Sequence, residues 1–153
     1  MLIIGIDPDL IASGVAVTTP DKRIVEMQRV KFSQLAEYMQ LQAMKVDGRI
    51  LIKLEDPNTI APTFQRHRPA AVNRQAVSNK ISQNVGQVKA VATLILEVLT
   101  AAGFNVQPCR PLVGLHKKRC KKDAEYFNKL TGWTARSNED CRDAALIALF
   151  GVC

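Results

Sequence analysis

At 153 residues, 47% hydrophobic and 23% charged, the chain has the size and composition of one core-forming domain, which excludes disorder, collagen and coiled coil and makes disulfide or metal staples unnecessary. The net charge of +7 is unevenly spread: residues 57–122 hold eleven basic side chains and one acid, Glu97, whereas the rest of the chain is slightly acidic at −3. Such a basic middle favours a polyanionic partner, nucleic acid or an anionic membrane surface.

In chain order, residues 2–6 form a short continuous apolar run that stops at Asp7. With no basic residue before it, this run is neither a signal peptide nor a membrane span; it reads as a strand covered on both faces. Asp7-Pro8-Asp9 is turn chemistry, and Gly14-Val15-Ala16-Val17-Thr18 resumes as the second arm of a hairpin. A third strand is expected over 23–32, following the Thr19-Pro20-Asp21 turn. The spacing of Leu35, Met39 and Met44 predicts a helix over 32–45, ended by Asp47-Gly48, and RILIKL predicts a fourth strand over 49–54. Residues 57–78 show no period and predict a long loop.

The strongest helical pattern covers 81–102, with Gly103 as its stop. Ile81, Val85, Val88, Val91, Ala92, Ile95 and Leu99 make one stripe; Ala90, Leu94, Val98 and Ala101 add a second apolar face suited to a subunit contact. The most apolar part, 90–102, contains Glu97 and is too short to span a membrane. A fifth strand fits 105–108, a basic helix 118–130, and a last helix 139–150 capped by Ser137-Asn138. Tyr126 and Trp133 read as packing residues. Cys109, Cys120, Cys141 and Cys153 contain no CxxC pair and read as reduced thiols of a cytosolic protein; His67 and His116 lack metal-ligand spacing. The expected architecture is a single α/β domain, a three-strand meander followed by strands alternating with helices.

Four carboxylates stand out by position: Asp7 ends the first strand, Glu55 ends the fourth, and Asp140 and Asp143 share one face of the last helix. Taken singly, each has a structural reading as a turn residue, a helix-dipole partner or a solvated charge. Taken together they repel unless cations neutralise them, and all-oxygen ligation suits Mg²⁺ or Mn²⁺ rather than zinc. Two such ions roughly 3.5–4 Å apart activate water and stabilise the leaving oxygen of a phosphodiester.

The segments IIGIDPDLIASGVAV, ILIKLEDP and SNEDCRDAALIAL, in this order, resemble the RuvC-type Holliday-junction resolvases of the RNase H-like (retroviral integrase) superfamily. The resemblance covers nearly the whole chain. It implies an RNase H-like fold with a five-stranded mixed sheet, and a homodimer that nicks symmetric strands of a four-way DNA junction with Mg²⁺, leaving 5′-phosphate and 3′-hydroxyl ends. It also implies that Asp7 bridges two Mg²⁺ ions and that Glu55, Asp140 and Asp143 complete the site. Asp9 departs from the pattern, which usually has Gly after Asp-Pro. The family places a lysine near the scissile phosphate in the second basic segment, for which Lys118 and Lys122 are the candidates.

The basic residues fall into two groups: Arg66, Arg68, Arg74 and Lys80 after Glu55, and Lys117, Lys118, Arg119, Lys121 and Lys122 before the last helix. Both are candidate DNA-phosphate contacts through counterion release. Phe64, an aromatic in a polar loop, is a candidate for stacking on a base at the junction centre or for folding back onto the domain. Competing readings are a non-catalytic branched nucleic-acid-binding module, an RNase H-like enzyme acting on RNA, and a phosphate-binding hairpin of actin-like ATPases. The last needs a second lobe that this length cannot supply.

Overall fold

The structure is a computed structural model that describes the backbone of residues 1–60 and 73–153, and their side chains apart from 73–79 and 81. Its strands are β1 (Leu2–Asp7), β2 (Ser13–Thr18), β3 (Ile24–Val30), β4 (Ile50–Glu55) and β5 (Val106–Cys109). Its helices are α1 (Phe32–Met44), α2 (Asn73–Ala101), α3 (Leu115–Lys122), α4 (Ala124–Thr131) and α5 (Glu139–Phe150). The strands form one five-stranded sheet in the order β3-β2-β1-β4-β5. β1, β2 and β3 pair antiparallel as the expected meander, while β1–β4 and β4–β5 pair parallel.

Residue size decides which helix takes which face of the sheet. Ile4, Ile6, Val15, Val17, Ile52 and Leu54 alternate onto one face and close over Leu35 and Met39 of α1 and Ile95 and Leu99 of α2. The residues between them, Gly5, Gly14 and Ala16, face α5. A Cβ at Gly5 would meet the Ala144 carbonyl oxygen, and one at Gly14 the Asp140 carbonyl oxygen, both far inside contact distance. The glycines therefore let the α5 backbone lie directly on β1 and β2, with Ala144, Ala145, Ile147 and Ala148 buried beneath it. Cys120 of α3, Phe127 of α4 and Leu146 and Leu149 of α5 complete this second core.

Three expectations are corrected. The helix expected from residue 81 begins at Asn73, so the expected loop is shorter and includes a 3-10 turn at Pro57–Thr59. The added turns, NRQAVSNK, are polar and free of Gly and Pro, so they carry helical propensity but no apolar period. The single basic helix is two. Asp123 lies in extended backbone (φ −114°, ψ 100°), ends α3, and accepts a hydrogen bond from Tyr126 N to start α4. Cys109 and Cys153 are disulfide-bonded rather than reduced, because the end of β5 and the residues after α5 meet; Lys53 Nζ donates to Gly151 O beside them at 2.9 Å. Cys120 and Cys141 are free and buried. Tyr126 and Trp133 pack against the second core.

The apolar part of α2 is also longer than its sequence boundaries suggest. Ser82–Ala101 is long and apolar enough to cross a membrane by length and composition alone. Ala92, Ile95 and Leu99 are buried, with Ile95 and Leu99 in the core on the sheet, while Lys89 and Glu97 interrupt the run. α2 reaches the core with the later part of its first stripe, while Val85 of that stripe is exposed, and its second face lies in the open, where Leu94 and Val98 are exposed.

Candidate metal and nucleic-acid site

Strand parity and register assemble the site. Asp7 has the parity of Gly5 and Glu55 that of Lys53, so both carboxylates point to the α5 side of the sheet. They leave β1 and β4 one residue past the paired Ile6 and Leu54. Asp143 comes down from α5 next to Ala144, the residue seated on Gly5. Three elements far apart in sequence thus deliver Asp7, Glu55 and Asp143 to one place, where the side chains of Glu55 and Asp143 are 10% and 2% exposed.

Burial and mutual repulsion dominate the electrostatics. Asp7 is pushed up to about 8, first by burial and then by the negative fields of Glu55 and Asp143, against the opposing fields of Lys121 and Lys117. Burial likewise raises Glu55, against the lowering effect of Lys117. Glu55 Oε2 and Asp143 Oδ1 are buried without a hydrogen-bond partner. Buried carboxylate oxygens with unused lone pairs, in an all-oxygen donor set, fit a hard divalent cation.

Two ammonium groups already stand among these oxygens. Lys117 Nζ is 3.2 Å from Glu55 Oε1 and 3.8 Å from Asp143 Oδ2, and Lys121 Nζ donates to Asp143 Oδ2 at 2.9 Å. Burial disfavours the charge of Lys121, but its hydrogen bond to Asp143 and the fields of Asp143, Asp7 and Asp140 outweigh that and raise its pKa. As the side chains lie, no three His, Cys, Asp or Glu side chains among the described residues are grouped to hold one ion. Lys118 and Lys122, the candidates for the position near the phosphate, are exposed on the other side of α3, as is Arg119, which pairs with Asp123 at 3.6 Å and lies over the Tyr126 ring.

The position of α3 depends on a residue that sequence reasoning passed over. Arg142 is buried on α5 between the two acidic positions. Its Nε donates to Cys120 O at 2.8 Å, its Nη1 to Ser137 O at 2.7 Å, and its Nη2 to Lys121 O. The bonds to Cys120 O and Lys121 O use carbonyls at the C-terminal end of α3, which no intrahelical donor takes. The available signal was the one basic residue of α5, set among Glu139, Asp140 and Asp143 and directly before an apolar run, since an arginine there must find several acceptors.

Asp140 stands apart from the other three carboxylates. Its Oδ2 is 3.3 Å from Arg29 Nε on β3, and Arg29 Nη2 is 3.5 Å from Asp9. Asp9 Oδ1 also accepts from Ile11 N at 2.9 Å, which gives this departure from the family pattern a local role as the cap of the β1–β2 turn. Asp56, beside Glu55, is occupied in the same way by Asn58, whose backbone N donates to it at 2.9 Å. Of the first basic group, Lys80 is exposed on α2. Arg74 lies in the same helix with its side chain outside the described residues, and Phe64, Arg66, Arg68 and His67 lie wholly outside them.

No protein-family model and no curated protein sequence matches the chain. Solved structures do. T. thermophilus RuvC in complex with a Holliday junction substrate matches with a TM-score of 0.53 at 18% identity, over 97% of this chain and 90% of that one. A second Thermus thermophilus RuvC structure matches at 0.48 and 17% identity, over 97% and 92%. Sheet order and helix placement define an RNase H-like α/β protein. Within that class, the fold is the one seen in the RuvC-type Holliday-junction resolvases.

Proposed function

We propose that this chain is a metal-dependent endonuclease that resolves four-way DNA junctions by phosphodiester hydrolysis, leaving 5′-phosphate and 3′-hydroxyl ends. The observation that carries the reading is the approach of half-buried Asp7 to buried Glu55 and Asp143, with two partnerless oxygens, where the ends of β1 and β4 meet α5 in a RuvC-like fold. Asp7, Glu55 and Asp143 would hold the cations, with Asp140 as the fourth carboxylate. Two Mg²⁺ ions, or Mn²⁺ in their place, would supply an activated water and stabilise the leaving oxygen.

Around this site Lys80, Lys118, Arg119 and Lys122 offer exposed positive charge. Together with Lys117, Lys121, Phe64, Arg66, Arg68 and Arg74 they form the proposed DNA-binding set. The exposed apolar face of α2 supports a homodimer, whose two-fold axis would suit a junction with two equivalent strands. The protein would be a single nuclease domain acting in the cytoplasm on DNA.

One observation favours a second reading. Because Lys117 and Lys121 partly neutralise the carboxylates without any cation, the same fold could serve as a non-catalytic branched-DNA-binding module. Incubation with a synthetic immobile four-way junction and a matched linear duplex, with Mg²⁺ or EDTA, separates the two. Paired, Mg²⁺-dependent nicks in the junction alone are expected. Junction binding with no cleavage under Mg²⁺ or Mn²⁺ would favour the binding module, and equal cutting of the duplex would overturn junction selectivity.

A further inference from the structure

Lys117 and Lys121 are four residues apart on α3, hence on one face of it, and among the described residues they are the cations in ion-pair reach of Glu55 and Asp143. Their helix is fixed in place by Arg142, through the carbonyls of Cys120 and Lys121. Each side chain is a flexible four-carbon stem ending in a point charge; that of Lys121 is 41% exposed and that of Lys117 19%, against 2% for Asp143. The carboxylates stay put while the ammonium groups have a way out.

We infer that Lys117 and Lys121 are built-in counter-ions of the carboxylate cluster, competing with divalent cations for Glu55 and Asp143. The inference rests on the proposed metal-dependent reading. An ammonium within 2.9 Å of Asp143 Oδ2 takes a lone pair that a cation would use, and its positive charge repels a second cation at contact distance. Cation loading therefore requires the ammonium groups to leave the cluster, and the affinity of the resting protein is lower than its oxygen donors alone would give. The partnerless Glu55 Oε2 and Asp143 Oδ1 are where a cation would first gain hold, since no lysine occupies them.

Calorimetric titration of MnCl₂ into the full-length protein tests this, with Lys121→Met and Lys117→Gln as separate variants and Lys121→Arg as the charge-retaining control. Removal of either ammonium should tighten Mn²⁺ binding by about fivefold or more, the lower range of ordinary site–site coupling, while Lys121→Arg should not tighten it. Thermal unfolding gives an independent readout. Lys121→Met should melt below the wild type in EDTA, because Asp143 loses its hydrogen-bonding ammonium, and should gain more from saturating Mn²⁺ than the wild type does. Wild-type Mn²⁺ binding with no tightening in folded Lys121→Met or Lys117→Gln overturns the counter-ion role and leaves the metal-dependent reading intact. Absence of Mn²⁺ binding in wild type and variants alike overturns both.

Discussion

The two sides of α3 carry the same residue type in different surroundings. Lys117 and Lys121 point inward to buried carboxylates; Lys118, Arg119 and Lys122 point outward to solvent, with Arg119 resting on Tyr126. An inward ammonium is held by a partner that itself has nowhere else to go. An outward one is screened by salt and free to meet any anion. A run of five basic residues is therefore two devices, one belonging to the site and one to the surface around it.

The inward device is broken most severely at its centre. Asp7→Asn keeps the shape of the side chain and removes its charge, and should reduce Mg²⁺-dependent junction cleavage by at least about a thousandfold, as loss of a central catalytic group does elsewhere, while gel-shift affinity for the junction persists. Mg²⁺-dependent nicking near the wild-type rate would remove Asp7 from the site.

A pH series sharpens the same side. In the folded protein Asp7 holds its proton up to about 8, whereas in the unfolded chain it loses it near the ordinary carboxylate value of 3.8. Between those limits the folded state binds the extra proton, so stability falls as pH rises. In EDTA, the melting temperature of the wild type should therefore drop from pH 5 to pH 8 by more than that of Asp7→Asn; parallel curves would mean that Asp7 is not the group responsible.

The outward device predicts a graded effect. Replacing Lys118, Arg119 and Lys122 by Ala should weaken junction binding and flatten the plot of log affinity against log salt by up to about 0.9 per lost phosphate contact. An unchanged slope would take the outer side of α3 out of the interface. The smallest expected change is at the rim: Arg29→Met should cost about 1 kcal/mol in denaturant unfolding, because its ion pairs to Asp9 and Asp140 are partly exposed to solvent.

What was legible in the sequence was whatever one element decides for itself. The apolar run of β1, the Asp-Pro turn, and the Asn138 cap of α5 are local patterns, and they form where they were expected. Strand-end position also marked Asp7 and Glu55, which the parallel pairing of β1 and β4 brings side by side. The misses were set by contacts between elements. That Lys117 and Lys121, not their neighbours Lys118 and Lys122, reach the acids depends on the rotation of α3, which Arg142 fixes from another helix. The Cys109–Cys153 bond depends on where two distant segments end, and the tether of Asp140 depends on an arginine from β3. The break at Asp123 was visible in principle, since aspartate is a strong N-cap, but continuous basic and apolar residues on either side masked it.

Gly5 and Gly14 divide the site into a fixed backbone and side chains that can turn. With strand and helix backbones touching at both positions, α5 cannot slide or roll without a clash, so the backbone positions of Asp140 and Asp143 relative to Asp7 are set when the chain folds. Adjustment to an incoming ligand is left to side-chain rotation, because α3 is itself held through buried Cys120 and the grip of Arg142. Two absent methyl groups thus decide which half of the site holds still.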